Sequence, residues 1–260
     1  MAHFFKKQFG QNFLRGDRFA RELVNALNIA DGDTVIEIGP GDGQVTKLLL
    51  EKARQVISIE IDYNLVPKLI QRFQANKNFH IEHTDILQVE ITELAEKYDF
   101  QSYKLVGSLP YNISKKIIEK FLSSELLPEQ MAFIIQEEVA QDYTARPPKA
   151  SFLSNWISLR ADTKKLVSIP ASQFYPTPKV NGAIITITPH QHIAGAEEMA
   201  KLLRIGFSSP RKTLMNNLRN NQELDTGKLD IAWQQLGLSP TVRPAELTGE
   251  QWREIRELVF

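Results

Sequence analysis

Residues 37–46 read "EIGPGDGQVT". They follow an apolar strand-like run and open a helical pattern, so backbone N–H groups point outward where glycines let a ligand come close. Gly39, Gly41 and Gly43 are spaced GxGxG, one residue tighter than the GxGxxG nucleotide fingerprint. Glu60 stands 21 positions after Gly39, at the end of the next strand-like run, where a carboxylate can accept both hydroxyls of a ribose. This pairing suits an adenosine-containing ligand. Charge selects among such ligands: the loop holds Asp42, Glu37 lies beside it, and no Lys or Arg follows until Lys47. Acidic neighbours oppose a pyrophosphate and favour the sulfonium and ammonium groups of S-adenosylmethionine. Asp85, at the end of the third strand-like run, is placed to hold the adenine amino group, with Ile61 and Ile86 packing the ring. The absence of GK[ST] excludes a Walker-type phosphate loop. A tight turn ringed by ordinary surface acids would use the same residue types. Glycines, Glu60 and Asp85 at the ends of successive strands favour the ligand.

A second stretch, "GSLPYNIS" at 107–114, ends the fourth strand-like run. In an open α/β sheet the carboxyl ends of the strands face the ligand crevice, so Ser108 to Tyr111 should border a transferable methyl. Pro110 restricts the backbone, and Tyr111 then presents a flat face, which suits a flat acceptor. An exocyclic base amine is a poor nucleophile because its lone pair is delocalised into the ring. The Ser108 hydroxyl oxygen and the Leu109 carbonyl, accepting from that amine, would favour the geometry that frees the lone pair. Methylation at a pyrimidine carbon needs a cysteine nucleophile, and the chain has no cysteine, so nitrogen is the expected target. A base must leave its stack to be reached, and stacking on aromatic rings returns about 1–3 kcal/mol per base. Phe174, in the proline-stiffened "FYPTPKV", is the second candidate clamp; a core phenylalanine is the competing reading.

The elements that must position these residues alternate from Thr34 onward. Strands are expected at 34–39, 55–62, 79–85, 103–109 and 131–136, with helical spacing in "QVTKLLLEKA", "NLVPKLIQRF" and "SKKIIEKFL" between them. That order implies a mostly parallel sheet covered on both faces. After Arg146, "PPKASF" reads as a loop, and "KLVSIP" and "GAIITITP" as β-rich segments. Only helical patterns follow residue 194, which places a domain boundary at about 190.

The 260 residues accommodate one large domain and a smaller one. No apolar stretch is long enough for a membrane span, and "MAHFFKKQF" lacks the apolar core of a signal peptide, so a cytoplasmic protein is expected. Zero net charge hides unlike parts: residues 1–30 carry +3, 31–145 carry −8, 146–222 carry +8 and 223–260 carry −3. Two basic segments point to a polyanionic partner, a solvated surface being the competing reading. The five histidines show no metal spacing; "HIEH" on a strand sets its two rings on opposite faces.

On these motifs, together with "KKQFGQNFL", "RKTLMNNL" and "RPAELTGEQW", the chain resembles the ribosomal RNA adenine N6-dimethyltransferases, in particular the bacterial KsgA (RsmA) group. The resemblance implies a Rossmann-like class I methyltransferase domain over residues 1–190 and a small all-helical domain over 191–260. It also implies S-adenosylmethionine as donor and a role in ribosome biogenesis, with dimethylation of two adjacent adenines in the 3′-terminal hairpin loop of 16S ribosomal RNA within the small subunit. A monomer is expected. The family's cofactor contacts fall on Asn12, Leu14, Gly39, Glu60, Asp85 and Ser108, and its target-base aromatics on Tyr111 and Phe174. Ser108 stands where members usually have Asn. Lys6, Lys7 and Arg15 near the cofactor, and Arg211, Lys212 and Arg219 on the helical pattern after "SSP", are expected to contact phosphates. A ribosome-assembly factor with weak catalysis and a 23S-type resistance methyltransferase are the alternatives.

Overall fold

The computed structural model describes residues 12–110, 113–190, 195–221 and 224–260. Its elements in chain order are β1 (Phe13–Leu14), α1 (Arg18–Asn25), β2 (Thr34–Ile38), α2 (Gln44–Leu50), β3 (Gln55–Glu60), α3 (Val66–Phe73), β4 (Phe79–His83), α4 (Ile91–Tyr98), β5 (Lys104–Ser108) and α5 (Ser114–Leu122). They continue with β6 (Gln130–Gln136), α6 (Glu137–Thr144), α7 (Phe152–Ser158), β7 (Ala161–Ile169), β8 (Phe174–Tyr175), β9 (Gly182–Pro189), α8 (Ala196–Gly206), α9 (Leu214–Arg219), α10 (Thr226–Gln235) and α11 (Gly249–Val259).

The chain divides into two compact units. One comprises the residues up to Ala140 with Lys164–Pro189, the other Gln141–Thr163 with His190–Phe260. The expected boundary at 190 is therefore one crossing of several, and residues 141–163 go with the helical unit rather than with the sheet.

In the first unit, seven strands run in the order β4-β3-β2-β5-β6-β9-β7. Strands β2 to β6 are parallel neighbours and β9 pairs antiparallel with β6. Strand order reverses between β2 and β5, which makes the carboxyl ends of these two strands the switch point where ligands bind in such sheets. Every residue of β2 and β3 is buried, the polar Glu37, Ser58 and Glu60 included, as central strands of a parallel sheet covered on both faces are. Phe19, Leu23 and Leu27 from and just beyond α1 pack with Leu48 and Leu49 of α2 on Val35, Val56, Val106 and Ile134 of the strands.

At the β6 end of this unit, Glu137 ties three segments together. Its carboxylate accepts hydrogen bonds from Lys165 Nζ at 2.7 Å, from the Ser168 hydroxyl and from Asn181 Nδ2 at 3.2 Å. The Lys165 contact is the largest of the influences that hold its pKa down at about 2. A depressed carboxylate contributes stability that is present above the ordinary value of 4.5 and lost as pH falls toward the folded value. Because solvent reaches this pair, we expect Glu137→Gln to lower stability by only about 1 kcal/mol at pH 7. In denaturant titrations the difference from wild type should shrink steadily below pH 4.5. A gap that persists unchanged at pH 3 would show that the charge is not responsible.

The second unit is helical apart from the start of β7. Met199, Leu202 and Leu203 of α8 meet Leu214 and Leu218 of α9, Leu229 and Trp233 of α10, and Trp252 and Ile255 of α11 in one core. Two capping boxes mark its helix starts: Thr248 with Gln251 opens α11, and Ser151 with Ser154 opens α7. The loop reading of "PPKASF" holds through Ser151, and this second pair starts at Phe152 a helix that the sequence reading did not include. Ser151 Oγ accepts from the Ser154 N–H at 2.9 Å while Ser154 Oγ accepts from the Ser151 N–H at 2.8 Å.

Candidate active site

Gly39, Gly41 and Gly43 leave β2 with φ of +64°, +61° and +83°, a left-handed sequence that side chains resist. At Gly41 there is a second reason for glycine: a Cβ would lie 2.7 Å from the Phe13 ring of β1. Strand β1 is held there by pairing with β8, Phe13 opposite Tyr175 and Leu14 opposite Phe174. Sequence distance conceals this contact between the start of the chain and the "FYPTPKV" motif. Arg15 strengthens it, donating from Nε to the Phe174 carbonyl at 3.1 Å and lying over the Tyr175 ring at 5.1 Å. Its side chain thus braces β8, a role that the expectation of a phosphate contact did not include.

Around this loop lies a cavity lined by Asn12, Phe13 and Leu14, by Glu37 and the Gly39–Asp42 turn, by Gln44, Val45, Glu60 and Ile61, and by Gly107–Pro110 with Phe174. It lies at the switch point. Among the described residues, none that lines it is Lys, Arg or His. Phe13, Glu37 as a wall residue, Gln44 and Gly107 were not among the sequence candidates. The "QNFL" motif around Asn12 and Leu14 was the only signal for Phe13.

Glu60 is nearly fully buried at the end of β3. Its Oε1 accepts from the Asp62 N–H at 2.8 Å and its Oε2 from the Gly41 N–H at 3.4 Å. Burial raises its pKa, partly offset by these two backbone donors. Two of the expected adenine contacts stand apart from the cavity wall. Asp85 caps the short turn after β4, Oδ1 accepting from the Leu87 N–H at 2.9 Å, and the Ile86 side chain is buried. Ile61, by contrast, is 43% exposed and in the wall. Of the two isoleucines expected to pack the adenine ring, Ile61 lines the cavity and Ile86 is buried after β4.

At the end of β5, the Leu109 N–H donates to the Ile134 carbonyl at 2.9 Å, continuing the ladder past the strand. Pro110 then turns the chain, and its carbonyl accepts from Ser114 at 3.0 Å to start α5. Ser108 and Leu109 are thereby held at the cavity. Phe174 also reaches the wall, but it is 1% exposed and packs within the sheet core. Its ring occupies the space a side chain at 182 would need: a Cβ on Gly182 would lie 2.9 Å from Phe174 Cζ. An exposed clamp is not what the fold presents; the ring is a fixed wall. Tyr111, Lys6 and Lys7 lie outside the described residues. Arg211 and Lys212 are exposed in the turn before α9 rather than on a helix, and Arg219 is ion-paired with Asp230.

Two solved structures share this architecture. The 23S rRNA methyltransferase ErmE superposes with a TM-score of 0.81 over 95% of this chain and 99% of its own, at 23% identity. A dimethyladenosine transferase from Plasmodium falciparum gives 0.78 over 94% and 95%, at 24%. Together they define this chain's fold as the Rossmann-like α/β class that those two enzymes have. The sequence profile described as "Ribosomal RNA adenine dimethylase" matches residues 2–258. Proteins named ribosomal RNA small subunit methyltransferase A are 34% identical in Hydrogenovibrio crunogenus, over 95% of this chain and 94% of theirs, and 33% identical in Dehalococcoides mccartyi, over 96% and 87%. The chain belongs to the ribosomal RNA adenine dimethylase family.

Proposed function

We propose that this enzyme uses S-adenosylmethionine to dimethylate N6 of two adjacent adenines in the 3′-terminal hairpin of 16S ribosomal RNA, in the small subunit or its precursor. One observation carries the donor assignment: among the described residues, the switch-point cavity is lined by Glu37, Asp42 and Glu60 and by no cationic side chain. Such a lining suits a net positive ligand and opposes a pyrophosphate. When bound, the donor supplies an electrophilic methyl on a cationic sulfur.

The chain's own groups do the rest. Glu60 accepts hydrogen bonds from the ribose hydroxyls, while Asn12, Leu14 and Ile61 flank the ligand; Asp85 and Ile86, after β4, support the adenine end. Ser108 Oγ and the Leu109 carbonyl accept from the adenine amine, which turns its lone pair toward the methyl. Phe174 forms a flat wall beside it, and Tyr111 is assigned the opposite face. Arg211 and Lys212 meet RNA phosphates, with Lys6, Lys7, Arg15 and Arg219 as further candidates. The small-subunit assignment is supported by the names of the relatives at 33–34% identity. No helix among the described residues is long and apolar enough to cross a membrane, and we read the enzyme as a cytoplasmic monomer.

Incubation with unmethylated small-subunit RNA or particles should yield N6,N6-dimethyladenosine on nucleoside mass analysis; donor binding without any incorporation would refute the assignment. Calorimetry should show binding of S-adenosylhomocysteine and none of NAD. Glu60→Gln should weaken donor binding by about tenfold to a hundredfold, the range of a hydrogen bond to a charged group. Unchanged affinity in that variant would remove Glu60 from the site.

A further inference from the structure

One carboxylate in the cavity wall has no task in the reaction just described. Glu37 lies within β2, opposite Ser58 of β3 and Val106 of β5, and is 1% exposed, yet it lines the cavity. Its Oε2 accepts from Thr46 Oγ1 at 2.7 Å and Ser58 Oγ at 2.8 Å, both neutral hydroxyls. Among the described residues, the charged groups acting on it are Glu60 from β3 and Asp42 from the glycine loop, both acidic. Helix α2 contributes Thr46 to its surroundings and β5 contributes Val106. A buried carboxylate that, among the described residues, is answered by two hydroxyls and repelled by two further carboxylates favours its neutral form. Burial, the largest influence, lifts its pKa to about 7 against the two hydroxyl contacts.

We propose that Glu37 is a specificity-determining residue of the donor site: it gives up its carboxyl proton to solvent when the cationic donor is bound, and so discriminates the sulfonium donor from its neutral-sulfur product. This rests on the reading of the cavity as the S-adenosylmethionine site. Bringing positive charge beside Glu37 stabilises its ionised form, so the donor and the ionised carboxylate favour each other reciprocally. With S-adenosylhomocysteine the sulfonium charge is gone, the carboxylate regains a proton from solvent, and the preference for the bound state falls. The sign follows from linkage. Below the value of the free protein, binding must displace a proton and is weakened; well above it the carboxylate is already ionised and affinity levels off. Donor binding should therefore tighten by about tenfold between pH 6 and pH 8, and product binding by less.

Calorimetry of the full chain with each ligand at pH 7, in two buffers of different ionisation enthalpy, counts the protons released. Wild type should release more with S-adenosylmethionine than with S-adenosylhomocysteine, and Glu37→Gln should abolish the part of this difference that Glu37 supplies. The ligands' own amines titrate near this range, but they are common to both proteins, so wild type minus variant isolates Glu37. Thr46→Val, which deletes a hydroxyl that stabilises the ionised form, should move the midpoint of donor affinity to higher pH and provides the test if Glu37→Gln does not fold. An unchanged proton difference in Glu37→Gln, or an unmoved midpoint in Thr46→Val, overturns the proposal while leaving the donor site intact. Failure of wild type to bind either ligand overturns the site reading as well.

Discussion

Phe174→Ala should lose about 3–5 kcal/mol of folding stability, the usual range for removing a buried phenylalanine ring, and should transfer no methyl groups. The ring is packed with Val106, Ala132, Ile134 and Ile184 in the main core and closes the space left by Gly182. Its backbone is pinned by Leu14 across the short β1–β8 ladder and by Arg15 at its carbonyl. An alanine variant therefore cannot tell a stacking ring from a structural one. Phe174→Leu separates the two, because leucine keeps more of the apolar volume than alanine and leaves a smaller cavity, so it costs less stability while still removing the flat face. If the ring stacks on the target base, losing its flat face should slow transfer by about tenfold to a hundredfold, in line with 1–3 kcal/mol per stacked base. Denaturant midpoints and methyl incorporation measured on the same preparations provide the check. A leucine variant as active as wild type would leave Phe174 a core residue and nothing more.

Gly107→Ala is expected to be nearly as severe. The residue lies in β5, between β2 and β6, paired with Ile38 on one side and Phe133 on the other. A Cβ there would stand 2.6 Å from the Ile38 carbonyl oxygen and 3.1 Å from Ile38 Cβ, with Leu109 Cδ2 at 3.3 Å. Backbone in the middle of a paired sheet cannot step aside as the tip of a flexible side chain can. Overpacking of this kind costs about 1–3 kcal/mol. The larger consequence lies one residue on, since displacement of Ser108 and Leu109 spoils the alignment of the amine, and a misplacement of about 1 Å can slow catalysis about a hundredfold. A lowered melting temperature, retained product binding and transfer reduced a hundredfold make up the expected pattern. Normal transfer would mean that Ser108 and Leu109 do not depend on the close approach of β5 to β2.

Both expectations depend on contacts that no local pattern announces. Phe174 and Gly182 are eight positions apart on different strands, and only the space left by the missing Cβ shows why the ring sinks into the core. Arg15, read as a phosphate contact from its charge, is committed to a carbonyl 159 residues away. Asp85 ends a strand as expected, but its oxygen is engaged by the turn it caps. Helix α7 escaped notice because its capping box pairs two serines in place of the Ser/Thr and Glu/Gln that mark such starts in a sequence.

By itself the sequence determined the alternation of strands and helices, the glycine loop at the first strand end, the acidic character of the ligand site and membership of a methyltransferase family. These follow from periodicity, turn chemistry and charge sign, which act over a few residues or add up along the chain. Tertiary structure alone decided which carboxylates share one cavity, that Glu37 is buried among them with no cation from the described residues, that Phe174 is a wall, and that residues 141–163 fold with the helical unit. The physical reason is range: burial and electrostatic environment are through-space quantities, set by residues that meet only when the sheet has closed its order.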